Sequence, residues 1–247
     1  MKENRVFLKA NWNHLIMANF EVPGELLLPY LPGGTELDTH NGKHYVSIVG
    51  FLFEKTEILG IPAFFHRKFE EVNLRFYVTY KENETIKRGT VFISEIVPKP
   101  IIPLVANTLY NEVYSFHAMN HCLEPRENEL FVRYEWKSKS GWNFLEVKAE
   151  NKSKPTLPGS MENFISEHYW GYNALNQKQT LEYGVEHISW EVYPVKSCNF
   201  EINTVELYGK AFNQYLKNPP DSVFLAGGSD VLIRTPNRIK ILPAFSD

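Results

Sequence analysis

"EEVNLRFYVTY", residues 70–80, alternates almost without error. Val72, Leu74, Phe76 and Val78 fall on one side, and Glu71, Asn73, Arg75, Tyr77 and Thr79 on the other. A period of two is the signature of a β-strand, because successive side chains of a pleated chain point to opposite faces. The direction of the polar side decides what kind of fold this is. Facing water, it is an ordinary solvated surface. Facing the inside of a barrel, it gathers a carboxylate, an amide, a guanidinium and a phenol in one enclosed space.

The neighbouring sequence extends this strand into a sheet. "YKENETIKRG" (80–89) is polar, ends in glycine and reads as a hairpin connection to "GTVFISEIV", so the two strands should be antiparallel neighbours. Runs rich in Val, Ile, Phe and Tyr predict strands at roughly 13–21, 43–58, 69–80, 88–97, 113–123, 129–137, 142–150, 180–188, 190–202 and 222–235. Helical signals are fewer. "VPGELLLPYLP" has a proline at a plausible first helical position and stops at another. "KPIIPLVANTLYNE" (99–112) spaces Ile102, Val105 and Leu109 as a helix would, "PGSMENFISEHY" offers Ser160 as a cap, and "TVELYGKAFNQYL" follows Asn203. About four short helices on ten strands is a mainly β or α+β fold. The chain has no Rossmann alternation, no GxGxxG and no GxxxxGK[ST].

Composition narrows the class further. With 247 residues, 43% hydrophobic and 22% charged, the chain can bury a full core, and no repeat or low-complexity tract divides it, so one domain over 1–247 is expected. The net charge of -3, with 26 basic residues scattered among 29 acidic ones, argues against nucleic acid. No stretch approaches 18 consecutive apolar residues and the N-terminus lacks a signal-peptide core, so a cytoplasmic protein without a membrane partner is expected. Self-association is compatible with the aromatic content. Cys122 and Cys198 have no partner pattern and read as two buried thiols.

Catalytic motifs are sparse. There is no GxSxG elbow, and "LAGGSDVLI" (225–233) reads as a turn. His117 and His121 are four apart in a strand-like stretch, which separates them by roughly 13 Å and leaves no metal site; neither a metal nor a cofactor is expected. Tyr169, Trp170 and Tyr172 in "SEHYWGYN" could wall an apolar ligand pocket, although core packing explains them as well. Arg75, with Arg67 upstream and Arg88 downstream, suits a carboxylated ligand, because guanidinium binds carboxylate in bidentate fashion.

The blocks "LPGGTELD", "YVSIVGF" and "FEEVNLRFYV", followed by "RGTVFISEIVPKPIIPLVANTLY" and a late "DVLIRTPNRI", together resemble the YqjF-like family of unknown function over nearly the whole chain. That family is similar in turn to the acetoacetate decarboxylase superfamily. The resemblance implies an antiparallel cone-shaped β-barrel with a shielded pocket. It also implies a Schiff-base lysine, preceded by an Arg-Glu pair on a helix and then by a proline. Counted from Gly89, the pair falls on Asn107 and Thr108, the proline on Val113 and the lysine on Tyr114. A phenol cannot form an imine, Lys99 lies far upstream, and no pair of glutamates around a reactive amine is evident. The expected site therefore has Glu71 and Tyr114 as catalytic groups, and Arg67, Asn73, Arg75 and Trp170 as ligand-binding groups for a small carboxylate or carbonyl compound. A non-catalytic binding barrel and a solidly packed interior remain alternatives.

Overall fold

The computed structural model describes residues 5–63, 67–98 and 113–241. Its strands are β1 (Val6–Val22), β2 (Thr35–Leu37), β3 (His44–Ile58), β4 (Ile61–Pro62), β5 (Phe69–Glu82), β6 (Thr85–Val97), β7 (Tyr114–Phe116), β8 (Met119–Pro125) and β9 (Glu129–Ser138), then β10 (Gly141–Glu150), β11 (Lys154–Pro155), β12 (Trp170–Asn176), β13 (Gln179–Glu186), β14 (Glu191–Tyr193), β15 (Val195–Glu201), β16 (Ser222–Arg234) and β17 (Asn237–Lys240). Among the described residues, β16, β1, β3, β5, β6, β12 and β13 are hydrogen-bonded in that order, and β13 pairs back to β16 through Val185↔Ile233 and Glu186↔Leu232. The sheet thus closes into a ring of strands. Around the ring the pairings are antiparallel except β6 with β12, where Trp170 faces Gly89, and β7 joins the edge of β6 in parallel as well. A second sheet, β15-β10-β9-β8, packs over the outside of the ring.

The alternation of β5 now has its explanation. Val72, Leu74, Phe76 and Val78 face outward into a core shared with Tyr134, Trp136, Leu145 and Val147 of the second sheet and with Phe212 and Leu216 of a helix. Tyr77 turns the other way, into an inner core with Trp12, Leu15, Met17, Phe51, Phe53 and Phe164. Both faces are buried, so the polar side of this strand lies inside the ring. β9 repeats the logic from the other sheet, with Leu130, Val132, Tyr134 and Trp136 buried in alternation.

Several boundaries differ from the sequence reading, each for a local reason. The hairpin at 80–89 is tighter than expected: β5 and β6 run on to a Glu82↔Thr85 pair, and Asn83 takes a left-handed φ of 54° in the two-residue turn. The expected strand 113–123 breaks at His117, so that β7 joins β6 while β8 joins the second sheet. His117 then bonds the Lys137 carbonyl through Nδ1, while His121 Nδ1 lies 2.5 Å from Glu70 Oε1. "LAGGSDVLI" is no turn but the middle of β16. Trp170–Asn176 is a strand of the ring where only aromatic packing was expected.

The helices are short. "VPGELLLPYLP" forms two 3₁₀ turns, Gly24–Leu26 and Leu28–Tyr30. Ser160 caps Met161–Ser166 by accepting from the Asn163 N–H, and Asn203 caps Thr204–Tyr208 by accepting from that of Glu206. The expected helix 204–216 is split in two at Gly209, whose φ of 87° cannot continue a right-handed helix. The helix expected at 99–112, with Lys99, Asn107 and Thr108, lies outside the described residues. No helix among the described residues is long and apolar enough to cross a membrane. Neither cysteine is fully buried as expected, since Cys122 and Cys198 are both partly exposed.

Candidate functional site

Inside the ring is a cavity of about 90 Å³. Its walls are largely aromatic and aliphatic, with Phe7, Trp12, Phe51, Phe53, Phe92 and Val185 prominent. Four polar side chains with ionisable or amide groups come from adjacent strands: Glu71, Asn73 and Arg75 from β5 and Glu95 from β6. Their relative exposures are 3%, 2%, 7% and 2%, so each is withdrawn from bulk water. Tyr114 completes the wall. It arrives on β7, which pairs in parallel beside the end of β6 and sets Tyr114 opposite Glu95.

Glu95 had no signal in the sequence. Ideal alternation along β6 would put Phe92 and Glu95 on opposite faces, yet both line the cavity. The ladder explains it, because Leu74 pairs with Ser94 and Arg75 with Phe92, which leaves Ile93 as an extra residue. Such a bulge reverses the phase of the strand beyond it. Two buried glutamates therefore share one cavity, where the sequence suggested Glu71 alone.

The hydrogen bonds divide the polar groups into two sets. Glu71 is well held: Asn73 Nδ2 donates to its Oε1 at 2.9 Å, and the Tyr114 hydroxyl donates to its Oε2 at 3.2 Å. Arg75 is not. Among the described residues its one hydrogen bond is the weak one from Nη2 to the Met17 sulfur at 3.9 Å, and its Nε is without a partner. Trp12 Nε1 and Asn73 Oδ1 are likewise buried without partners. A buried charge normally has a counter-charge, because several kcal/mol of hydration are otherwise lost. The cavity thus presents a guanidinium, an indole N–H and an amide oxygen to whatever occupies it.

The other residues anticipated for the site lie elsewhere. Arg67 is exposed, just before β5, and its backbone carbonyl accepts from Thr56. Trp170 packs on the outer core, where the Lys87 ammonium sits 4.0 Å from its ring centre. Tyr172 is fully buried in that same outer core and donates to Glu182, and Tyr169 donates to Glu167. Arg88 is tied to Asp38 at 2.8 Å and lies over the Phe164 ring.

Next to the cavity, Asp38 and His168 form a second polar unit. His168 Nε2 is 3.0 Å from Asp38 Oδ2, the same oxygen that Arg88 reaches. Burial opposes the charged carboxylate of Asp38, but the hydrogen bonds from His168 and Arg88 hold its pKa below the usual range. Burial dominates His168 and depresses it to about 4. Its folded value lies below the unfolded one, so the unfolded chain binds the extra proton between the two. Stability should be complete above pH 6.5 and fall by roughly 3 kcal/mol as the pH drops toward 4. Chemical denaturation of the wild type and His168→Gln at pH 7 and 4.5 checks this, with the drop expected to shrink in the variant.

A profile of the DUF2071 family, described as "Uncharacterized conserved protein", matches residues 9–230. The chain is similar to the uncharacterized protein YqjF of Bacillus subtilis (strain 168), at 26% identity over 205 residues, which are 80% of this chain and 79% of that one. In structure it is similar to an acetoacetate decarboxylase-like enzyme from Sphingomonas wittichii RW1, with a TM-score of 0.66 at 12% identity over 96% of this chain and 94% of the other. The enduracididine biosynthesis enzyme MppR, complexed with pyruvate, gives a TM-score of 0.64 at 9% identity over 98% and 92%.

Proposed function

Given that the chain belongs to the DUF2071 family of uncharacterised conserved proteins, with a fold like that of acetoacetate decarboxylase-like enzymes, we propose that it binds a small carboxylate compound inside the ring, anchored on Arg75. The observation that carries this reading is the buried guanidinium of Arg75, which lines the cavity and whose one hydrogen bond among the described residues is the weak one to the Met17 sulfur. Arg75 makes no ion pair with Glu71 or Glu95, which share its cavity, and an ionised carboxylate ligand supplies a direct one, since the planar fork of arginine matches its two oxygens. The cavity volume of about 90 Å³ has room for a ligand of a few heavy atoms such as a short oxo acid. A pyruvate complex of the similar MppR is in keeping with that size.

The chemistry differs from imine formation. No lysine is among the described residues that line the cavity, and the count from Gly89 puts Tyr114 where the resemblance implies the decarboxylase lysine. Tyr114 and Glu71, hydrogen-bonded to each other, are instead an acid and a base beside the bound carbonyl. In this reading Glu71 takes a proton from the carbon next to the carbonyl while the Tyr114 hydroxyl stabilises the developing oxyanion. Asn73 orients Glu71 for that transfer.

Calorimetric titration with pyruvate and acetoacetate, against their uncharged amide and ester counterparts, tests the anchor. The acids should bind and the neutral compounds should not. Proton NMR in D₂O tests the chemistry, because turnover of this type exchanges the methyl protons of pyruvate for deuterium. Exchange lost in Tyr114→Phe and Glu71→Gln supports an enzyme, and binding without exchange supports a non-catalytic barrel. Failure of every carboxylate to bind would sink both.

A further inference from the structure

Beside the main cavity lies a second void of about 20 Å³, and Trp12, Arg75, Phe92 and Val185 line both. Its remaining wall includes Thr90, Ser166, His168 and His187. Besides the Trp12 indole N–H, two side chains on this wall carry buried atoms without a hydrogen-bond partner, Nε of Arg75 and Nδ1 of His168. Their chemistry is complementary. Arginine Nε always carries a hydrogen. In His168, Nε2 faces the Asp38 carboxylate, which can only accept, so Nε2 holds the hydrogen of a neutral imidazole and Nδ1 is left with a bare lone pair. Asp38 itself is kept ionised by its bonds from His168 and Arg88.

A donor and an acceptor on two side chains that line one small void, and that are not hydrogen-bonded to each other, call for a mediator. A void holds a water if it offers roughly 10–15 Å³ or more and two to four polar partners. This one satisfies both conditions, with the hydroxyls of Thr90 and Ser166 as further partners.

We infer that one ordered water fills this void, accepting from Arg75 Nε–H and donating to His168 Nδ1, so that Asp38 and His168 act as positioning residues for the guanidinium that anchors the ligand. The chain of contacts runs from Arg88 through Asp38, His168 and the water to Arg75. Neighbouring rings limit its freedom: Tyr77 lies 4.7 Å from the His168 ring centre and 5.7 Å from the Arg75 guanidinium, and Phe164 packs 5.3 Å from His168. The charged and titratable groups facing His168 are therefore Asp38, Arg88 and Arg75, with the Tyr77 phenol beside them and His187 on the same void. Burial keeps the imidazole neutral down to about pH 4, which preserves the lone pair at neutral pH. With Nε committed to the water, the two Nη groups are the ones left to face the cavity.

The positioning role rests on the carboxylate reading above, whereas the water itself does not, and the test separates the two. A crystal structure of the ligand-free wild type at high resolution should show a water within about 3.2 Å of both Arg75 Nε and His168 Nδ1. His168→Phe, which fills the ring space without an acceptor, should weaken carboxylate binding about tenfold, and His168→Gln, which restores an acceptor, should recover most of that loss. The Nε–H signal of Arg75 in ¹H–¹⁵N spectra should shift in His168→Phe and return toward the wild-type position in His168→Gln, a response that loss of packing alone does not give. A dry void, a water that touches only one of the two atoms, or unchanged affinity in a folded His168→Phe would overturn the inference. Wild-type protein that binds no carboxylate yet holds the bridging water would overturn the functional reading and leave the bridge standing.

Discussion

Arg75→Met is expected to abolish carboxylate binding while making the ligand-free protein more stable. Methionine is unbranched and adaptable enough to fill the same space among Met17, Trp12 and Phe92. Truncating one partner of a buried charge pair costs about 2–5 kcal/mol, so a loss near 4 kcal/mol, or close to a thousandfold in affinity, is the expected scale. Stability should move the other way. Replacing a buried charge by an apolar side chain commonly stabilises, and a gain of about 1–2 kcal/mol would raise the melting temperature by roughly 2–8 °C for a chain of this size. The opposed signs give the experiment its force, because a residue kept for function at the expense of stability behaves this way. A melting temperature that falls by several degrees would mean that Arg75 is a structural ion, and the ligand reading would lose its main support. Scanning calorimetry in a buffer free of carboxylates, followed by titration, measures both.

The second large effect is structural and reaches the site from its back. Gly228 sits in the middle of β16 opposite Asn13, with a φ of 86°, and a Cβ at this position would overlap the Trp12 carbonyl oxygen. Gly228→Ala therefore combines backbone strain of about 1–3 kcal/mol with a steric clash of similar size. A total near 4 kcal/mol corresponds to a fall of roughly 8–16 °C in melting temperature. The clash falls on the backbone of Trp12, which lines both the cavity and the adjoining void, so ligand affinity should fall as well. Thermal unfolding followed by titration checks both; a variant that melts within 2 °C of wild type would show that β1 and β16 do not approach as closely as described.

These two residues also show how far the sequence could be read. The alternation of Glu71, Asn73 and Arg75 was plain, because a strand's period depends on neighbouring residues alone. Which way that face looked was not, since a period of two is the same over water and inside a ring. The direction follows from closure of the sheet by β13 and β16, a pairing between residues some fifty apart. Glu95 was hidden for a different reason: the bulge at Ile93 reverses the phase of β6, and nothing in "GTVFISEIV" marks it. Gly228 was misread as part of a turn because paired glycines signal turns, whereas here the glycine serves a close backbone approach within a strand.

Charge alone misled as well. Arg67 and Arg75 look equivalent as cations near one strand, yet Arg67 precedes β5 and remains exposed while Arg75 is buried. Trp170 was drawn toward the site by its aromatic neighbours, and the parallel pairing of β12 with β6 turns it outward against Lys87 instead. His168 stands two residues from Trp170 in the same "SEHYWGYN" stretch. Its role depends on Asp38, 130 residues away, in the "LPGGTELD" block.

Under the proposed function, the polar face of β5 builds an anion site rather than a buried structural network. The most direct measurement is a crystal structure of the protein soaked with pyruvate. Density is expected in the ring cavity, with a carboxylate oxygen within about 3 Å of an Arg75 nitrogen. Density confined to the surface, or an Arg75 side chain ion-paired to a protein carboxylate across a filled interior, would contradict it.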